Sequence, residues 1–549
     1  MMRPLLRMGV CAAVLLLAHA IPAGAAPGGP VVNAPVGVVE GQVVGDLAVF
    51  KGIPYAQPPV GPLRWKPPVP VQSWTGVRPA HDFGAACVQP PPRPGSLYAD
   101  PPAKMGEDCL SLNVWAPKAA KKAPVLVWIH GGALVGGASS EGLYDGTRLA
   151  GHGVIVVSIN YRLGVLGYLA HPDLSAESPD GVSGNYGLLD QVEALRWVQR
   201  NIGAFGGDPA NVTVAGESAG ALSVMYLMAS PPARGLFAKA IAQSAYMIST
   251  PTLKEARYGE QSAEENGRRL AAAVGAADVA ALRGMDAEAL TVAAVKAGYG
   301  PWGTIDGHVL TGQLVDVFDQ GRQAAVPLLV GFNSGEIRSL RFLAPPPPAD
   351  AATYETTIRH QYGDLADAYL ALYPASDMGE SILANTRDAL YAWTSERLAI
   401  KQTALGQPAF LYLFDHGYPE ADAKGLHGFH ASEIPYVFGT AHGTPPYWPK
   451  VADTPAEARF SDAMMDYWTS FARTGTPSAA GQPAWRPYDG AAAYMHFAAT
   501  PQPETHLMPG MYALHEATVC RRHAAGTLPW NWNTGIMSPV LPAKTAGCP

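Results

Sequence analysis

Residues 213–224 read "TVAGESAGALSV", a serine set between two glycines with an acid directly before it. The preceding "NVTVAG" is a short apolar run of the kind that forms a buried strand. The following "SAGALSVMYLMAS" is rich in small and apolar residues and reads as a helix. The stretch is therefore a strand–turn–helix crossover with Ser218 at its turn. A serine in such a turn is forced into a strained backbone conformation that exposes its oxygen. Neighbours two positions away must then lack side chains, which accounts for Gly216 and Gly220. The pattern is only moderately specific in a chain with 59 glycines, but its strand-to-helix context strengthens it.

The same texture surrounds it. "APVLVWI" and "GVIVVSINY" are nearly continuous apolar runs, as expected of strands buried on both faces. Between two of the strands, "GLLDQVEALRWVQRNI" carries apolar residues at helical spacing. Strands alternating with helices predict an α/β fold around a large, mostly parallel twisted sheet, with ligand sites at the strands' carboxyl ends. Residues 31–50 alternate β-branched residues with turn glycines and predict antiparallel N-terminal strands, followed by a proline-rich loop, "KGIPYAQPPVGPLRWKPPVP". Helical patterns around 254–295 and 345–405 read as insertions. "PAEARFSDAMMDYWTSFARTG" is a further helix with Gly475 as its C-cap. A single domain over 26–549 is expected despite the length of 549 residues. There is no internal repeat.

Residues 1–25 read as a cleaved export signal. Arg3 and Arg7 form the charged region, "MGVCAAVLLLA" the apolar core and Ala23-Gly24-Ala25 the cleavage site; the apolar run is too short to span a bilayer. A secreted or periplasmic protein is expected. Removing the signal takes the formal charge from −7 to −9, which disfavours nucleic acid and anionic membranes as partners. Four cysteines remain in the mature chain: Cys87, Cys109, Cys520 and Cys548. Three pairings are open, and the sequence-local one, Cys87 with Cys109 and Cys520 with Cys548, is favoured. No C-x-x-C spacing points to zinc.

A serine hydroxyl needs a base to take its proton and donors to stabilise an oxyanion. A second glycine-ended strand, "VWIHGGALVGG" at 127–137, provides backbone N–H groups unobstructed by side chains. Gly132 and Ala133, with Ala219 at the helix N-terminus, are the expected oxyanion donors. Gly131 and Glu217 are further pocket candidates. No lysine-serine or lysine-threonine pair follows these glycines, so a phosphate-cradling loop is disfavoured.

"FKGIPYAQPPVGPLRW", "GEDCLSLNVW", "WIHGGA", "NYRLG", "GNYGLLDQ", "FGGDP", "GESAGA" and "AQSA" occur in this order. Together they resemble the type-B carboxylesterases of the α/β-hydrolase superfamily, a group that includes para-nitrobenzyl esterases, cholinesterases and fumonisin esterases. The resemblance implies a serine esterase with a catalytic triad and an acyl-enzyme intermediate, acting on a small-molecule ester without metal or organic cofactor. It places the acid at Glu336 in "VGFNSGEIRSL", where the sequence departs from the family's pattern at Gly335 and Ile337. It places the base at His430 in "GFHASEIPYVFG". The order Ser218, Glu336, His430 is the one this fold requires. Metal ligation by His427 and His430 lacks supporting ligands.

The resemblance also implies scaffold roles: ion pairs Arg64–Glu107 and Arg162–Asp190, an N-terminal disulfide Cys87–Cys109, a structural Asp306 and a supporting Ser244. Trp302 and Phe332 are candidates for the acyl side of the pocket, with core packing as the competing reading. Asn211 begins a glycosylation sequon but enters a buried strand and is read as unmodified. Cholinesterases carry a tryptophan in the loop before "EDCL"; this loop has Tyr98 instead, which disfavours choline esters. Two alternatives remain: the same machinery acting on amides, carbamates or thioesters, and a non-catalytic adhesion module, against which the intact triad argues.

Overall fold

The computed structural model of the chain describes residues 29–549; the expected export signal lies outside the described residues. Among the described residues, fourteen strands form two sheets. Val31–Ala34 (β1), Gly37–Glu40 (β2) and Val77–Pro79 (β5) make a small one. The large sheet has eleven strands in the order β14-β13-β12-β11-β10-β9-β7-β8-β6-β4-β3. Its members are Gln42–Val44 (β3), Leu47–Pro54 (β4), Ser111–Pro117 (β6), Ala123–Ile129 (β7), Ile155–Ile159 (β8), Gly207–Glu217 (β9) and Lys239–Gln243 (β10). Leu328–Asn333 (β11), Ala409–Phe414 (β12), Ala493–Phe497 (β13) and Pro501–Thr505 (β14) complete it.

From β8 through β13 the strands run parallel, and the two flanks are antiparallel. The N-terminal meander divides between the two sheets: β1 and β2 form a hairpin on the small sheet, while β3 and β4 begin the large one. The proline-rich segment is also less irregular than its composition suggests. β4 extends to Pro54 because Ile53 and Pro54 pair with Leu112 and Ser111 past a register shift.

The near-continuous apolar strands are explained by two cores, one on each face. Along β7, Val125, Val127 and Ile129 enter one core, and Leu126 and Trp128 the other. The first core is closed by the helices Tyr186–Asn201, Ala219–Ala229 and Trp393–Ala404, through residues such as Val192, Met225 and Leu398. Helix Pro455–Thr474 covers the other face with Met464, Trp468 and Phe471. It ends at Gly475, whose φ of 80° and N–H bond to the Phe471 carbonyl make it the expected C-cap. The helical segments around 254–295 and 345–405 contribute to two smaller cores, one joining Leu270, Leu282 and Leu290 to Trp65 and Leu166, the other joining Tyr354, Tyr362 and Tyr369 to Leu514.

Both favoured disulfides are present, Cys87–Cys109 and Cys520–Cys548. Arg64 grips Glu107 through two hydrogen bonds of 2.7 and 2.6 Å. Arg162 does the same to Asp190 at 2.8 and 2.7 Å, with both side chains buried. Asp306 is structural: Oδ1 accepts the N–H groups of His308, Val309 and Leu310, and Oδ2 accepts from Asn185.

Candidate active site

The chain runs from β7 to β8 on one side and to β9 on the other, so the sheet order reverses around β7. Crevices form outside the carboxyl ends of strands at such a point. Ile129 at the end of β7 pairs with Gly216 near the end of β9, which sets the two glycine-bearing loops side by side.

Ser218 follows β9 directly, at φ 56° and ψ −120°, and heads the helix Ala219–Ala229. Its N–H donates to the Gln243 carbonyl at 2.9 Å. A Cβ at Gly216 would stand 2.5 Å from the carbonyl carbon of Gly220, and one at Gly220 2.1 Å from the carbonyl oxygen of Ile129. The glycine spacing read from the sequence is thus a steric requirement. At Gly131 a Cβ would meet Glu217 Oε2 at 2.9 Å and the Ser218 Cβ at 3.3 Å, so the loop after β7 lies against the serine turn.

Gly132, Ala133 and Leu134 have φ of 101°, 57° and 59°. Strain of this kind persists only where the surroundings impose it. Here Val135 and Gly136 donate to the Gly132 carbonyl, and Gly164 donates to that of Leu134. His130 supports the loop from below: its Nδ1 contacts the Gly131 carbonyl at 2.9 Å and its ring stacks on Tyr161. Burial pushes the His130 imidazole down to about 4, so it is neutral at ordinary pH. Among the described residues, no protein acceptor occupies the N–H groups of Gly132, Ala133 or Ala219.

Glu336 follows β11 and is fully buried. One carboxylate oxygen accepts the Asn333 N–H at 2.9 Å, and the other bonds His430 Nδ1. His430 lies on the loop after β12. That loop is fixed to the acid's turn by the Gly335 N–H on the Gly428 carbonyl and by Asn333 Nδ2 on the Phe429 carbonyl. A Cβ at Gly335 would come within 2.5 Å of the Leu426 carbonyl oxygen, so the departure from the family pattern at this position lets the histidine loop close over it.

The structure brings Glu336 and His430 into direct contact at the same sheet end as Ser218. The Ser218 hydroxyl makes no hydrogen bond to a described residue; the other imidazole nitrogen, Nε2, stands 3.1 Å from Glu217 Oε1. Burial alone would push His430 down, but the carboxylates of Glu217 and Glu336 outweigh it and hold the imidazole up, at about 9. Glu217 is itself pushed up by burial and by its acidic neighbours.

Beneath this pair lies a polar layer that sequence reading missed. Glu433 is fully buried and accepts from Asn333 Nδ2 at 2.6 Å and Gln243 Nε2 at 3.0 Å, while Trp468 donates to the Gln243 side chain. Burial pushes Glu433 up to about 7. Only the "SEIPYVFG" segment next to His430 could have signalled it. Ser244, with φ 51° and a buried hydroxyl lacking a protein partner, lies beside this layer in sequence. Phe332 is fully buried in the sheet core and offers no surface to a ligand, which favours the packing reading. Trp302 is partly buried and packs near Trp532 at 6.1 Å. Asn211 has its side chain engaged, donating to the Arg473 carbonyl and accepting from Lys239.

A mostly parallel sheet with a glycine-flanked serine turn and a histidine–glutamate pair at its carboxyl end defines an α/β-hydrolase fold. The chain belongs to the carboxylesterase family, whose model matches residues 28–514. It is 40% identical over 493 residues to a fumonisin B1 esterase of Sphingopyxis macrogoltabida, covering 86% of this chain and 87% of that protein. It is 37% identical over 464 residues to the para-nitrobenzyl esterase of Bacillus subtilis (strain 168), with 82% and 90% covered. A solved PNB esterase structure superposes with a TM-score of 0.75 at 34% identity, covering 86% of this chain and 97% of that one. A Geobacillus stearothermophilus carboxylesterase, EST55, gives 0.70 at 33% identity, with 88% and 99% covered. The protein is a carboxylic ester hydrolase.

Proposed function

We propose that this esterase works through an acyl-enzyme on Ser218, with His430 as general base, Glu336 as its orienting acid, and Gly132, Ala133 and Ala219 as oxyanion donors. Acylation moves His430 Nε2 from Glu217 to the Ser218 hydroxyl; nucleophile–base hydrogen bonds commonly tighten only once substrate is bound. The serine oxygen attacks the ester carbonyl while His430 takes its proton. Glu336 holds Nδ1–H, fixes the tautomer and stabilises the imidazolium. The three amide groups bind the developing oxyanion, each worth about 2.7–4 kcal/mol. His430 returns the proton to the leaving alcohol, then activates water to release the acid.

The observation that carries this reading is the Glu336–His430 pair beside a strained serine turn flanked by unpaired amides. Export of the mature chain is part of the proposal, supported by the N-terminal signal pattern and two disulfides. Among the described residues no helix is long and apolar enough to cross a membrane.

The test is turnover of p-nitrophenyl esters of graded acyl length, fumonisin B1 and a medium-chain acyl-CoA by wild type, Ser218→Ala and Glu336→Gln. We expect ester turnover that Ser218→Ala abolishes and Glu336→Gln lowers by about 10³–10⁴-fold. Full activity in Ser218→Ala would overturn the mechanism. Recovery of the secreted chain with residues 1–25 still attached would overturn cleavage of the signal.

A further inference from the structure

The loop closed by the Cys87–Cys109 disulfide touches both halves of the site. At one end, Gln89 forms a two-way bridge to Gly137: its amide donates to the Gly137 carbonyl at 3.0 Å, and its oxygen accepts the Gly137 N–H at 2.9 Å. Gly137 closes the glycine loop that carries Gly132 and Ala133. Further along, the Tyr98 hydroxyl reaches the backbone carbonyl of His430 at 3.0 Å and Ser339 Oγ at 2.7 Å. Ser339 ends the short helix that Glu336 begins. The phenol is the donor to both of these acceptors, and the Ser339 hydroxyl donates in turn to the Glu336 carbonyl at 3.4 Å. The Tyr98 ring stands edge-on to His430 at 6.2 Å and to Trp448 at 5.8 Å.

We infer that Tyr98 is a positioning residue for the esterase reaction: its hydroxyl locks the histidine loop to the acid helix, while Gln89 registers both against the oxyanion loop. The inference rests on His430 acting as the general base. Tyr98 does not touch the reacting atoms. It acts through the backbone on which the imidazole is mounted, where displacements near 1 Å can cost about 10²-fold in rate.

The experiment is Tyr98→Phe, which keeps the ring contacts and deletes both hydrogen bonds, with active sites counted by fluorophosphonate titration. We expect kcat per titrated site on a p-nitrophenyl ester to fall about 5- to 30-fold with KM within about twofold, the signature of lost transition-state geometry. Ser339→Ala should fall in the same direction, and the double variant should be little worse than Tyr98→Phe alone, because both remove one linkage. An unchanged kcat per site in Tyr98→Phe, a loss explained wholly by fewer titratable sites, or independent multiplying losses would each overturn the inference. His430→Gln is measured in parallel. Activity retained there sinks the triad reading itself, whereas an inert His430→Gln beside an unimpaired Tyr98→Phe sinks only the role of Tyr98.

Discussion

Nε2 of His430 stands 3.1 Å from Oε1 of Glu217, while its Nδ1 is bonded to Glu336, so a carboxylate flanks each nitrogen of one buried imidazole. Negative charge on both sides favours the protonated ring, and this is why His430 sits well above the ordinary value of 6.5.

That arrangement sets the pH profile. A general base must be neutral to accept a proton, so kcat/KM should rise with pH through the raised His430 value, above 6.5. Glu217→Gln removes one stabilising charge and should move this rising limb to lower pH by about one unit. The check is kcat/KM across pH for both proteins. A limb that stays in place would show that Glu217 does not charge the imidazole.

The contact between the two glycine-bearing loops predicts two different failures. Gly131→Ala pushes a methyl group against Glu217 and the Ser218 Cβ, at 2.9 and 3.3 Å. It should fold and lose about 10²-fold in kcat through misplacement of the serine. Gly220→Ala meets the Ile129 carbonyl oxygen at 2.1 Å, a backbone atom that cannot swing away. It should cost more than about 3 kcal/mol and reduce soluble yield. Thermal unfolding and active-site titration separate the two cases.

The Arg162–Asp190 pair is fully enclosed, and Asp190 also accepts the Arg162 backbone N–H at 3.0 Å. Arg162→Met leaves that carboxylate buried without its counter-charge and should lower stability by about 3–5 kcal/mol. The double change with Asp190→Asn should be milder than the sum of the singles. Chemical denaturation of the four proteins measures this.

Cys520–Cys548 ties the end of helix Met511–Ala525 to the C-terminus, far in sequence from the triad. Replacing both cysteines by serine releases a 28-residue loop and should destabilise by roughly 3–4 kcal/mol. kcat at a permissive temperature should be unchanged. A fall in kcat without loss of stability would place this end of the chain in the site's support.

The sequence was readable where local sterics decide the outcome. Strand, glycine, serine, glycine and helix are bound together because backbone atoms stand only 2.5 and 2.1 Å from where a Cβ would sit at Gly216 and Gly220. The apolar runs of β7, β8 and β9 report burial on both faces. The acid and the histidine were different: nothing in the residues around Glu336 singles it out chemically, and its assignment came through resemblance to a family. The proline-rich segment hid the end of β4, because strand pairing with Ser111 and Leu112 is invisible to local composition.

Tertiary structure alone decided what surrounds the imidazole. Glu217 looked like an unusual acid beside a serine, and the sequence could not say that its carboxylate faces Nε2 from across the sheet end. Tyr98 lies 332 positions from the carbonyl it holds, and Gln243 lies 190 from Glu433. Such partners are chosen by the crossing of loops at the carboxyl ends of separate strands, where no periodicity or short motif carries the pairing. The local turn that presents Ser218 was therefore determined by the chain's own covalent geometry. The electrostatic setting of His430 was settled only when distant loops packed together and excluded water.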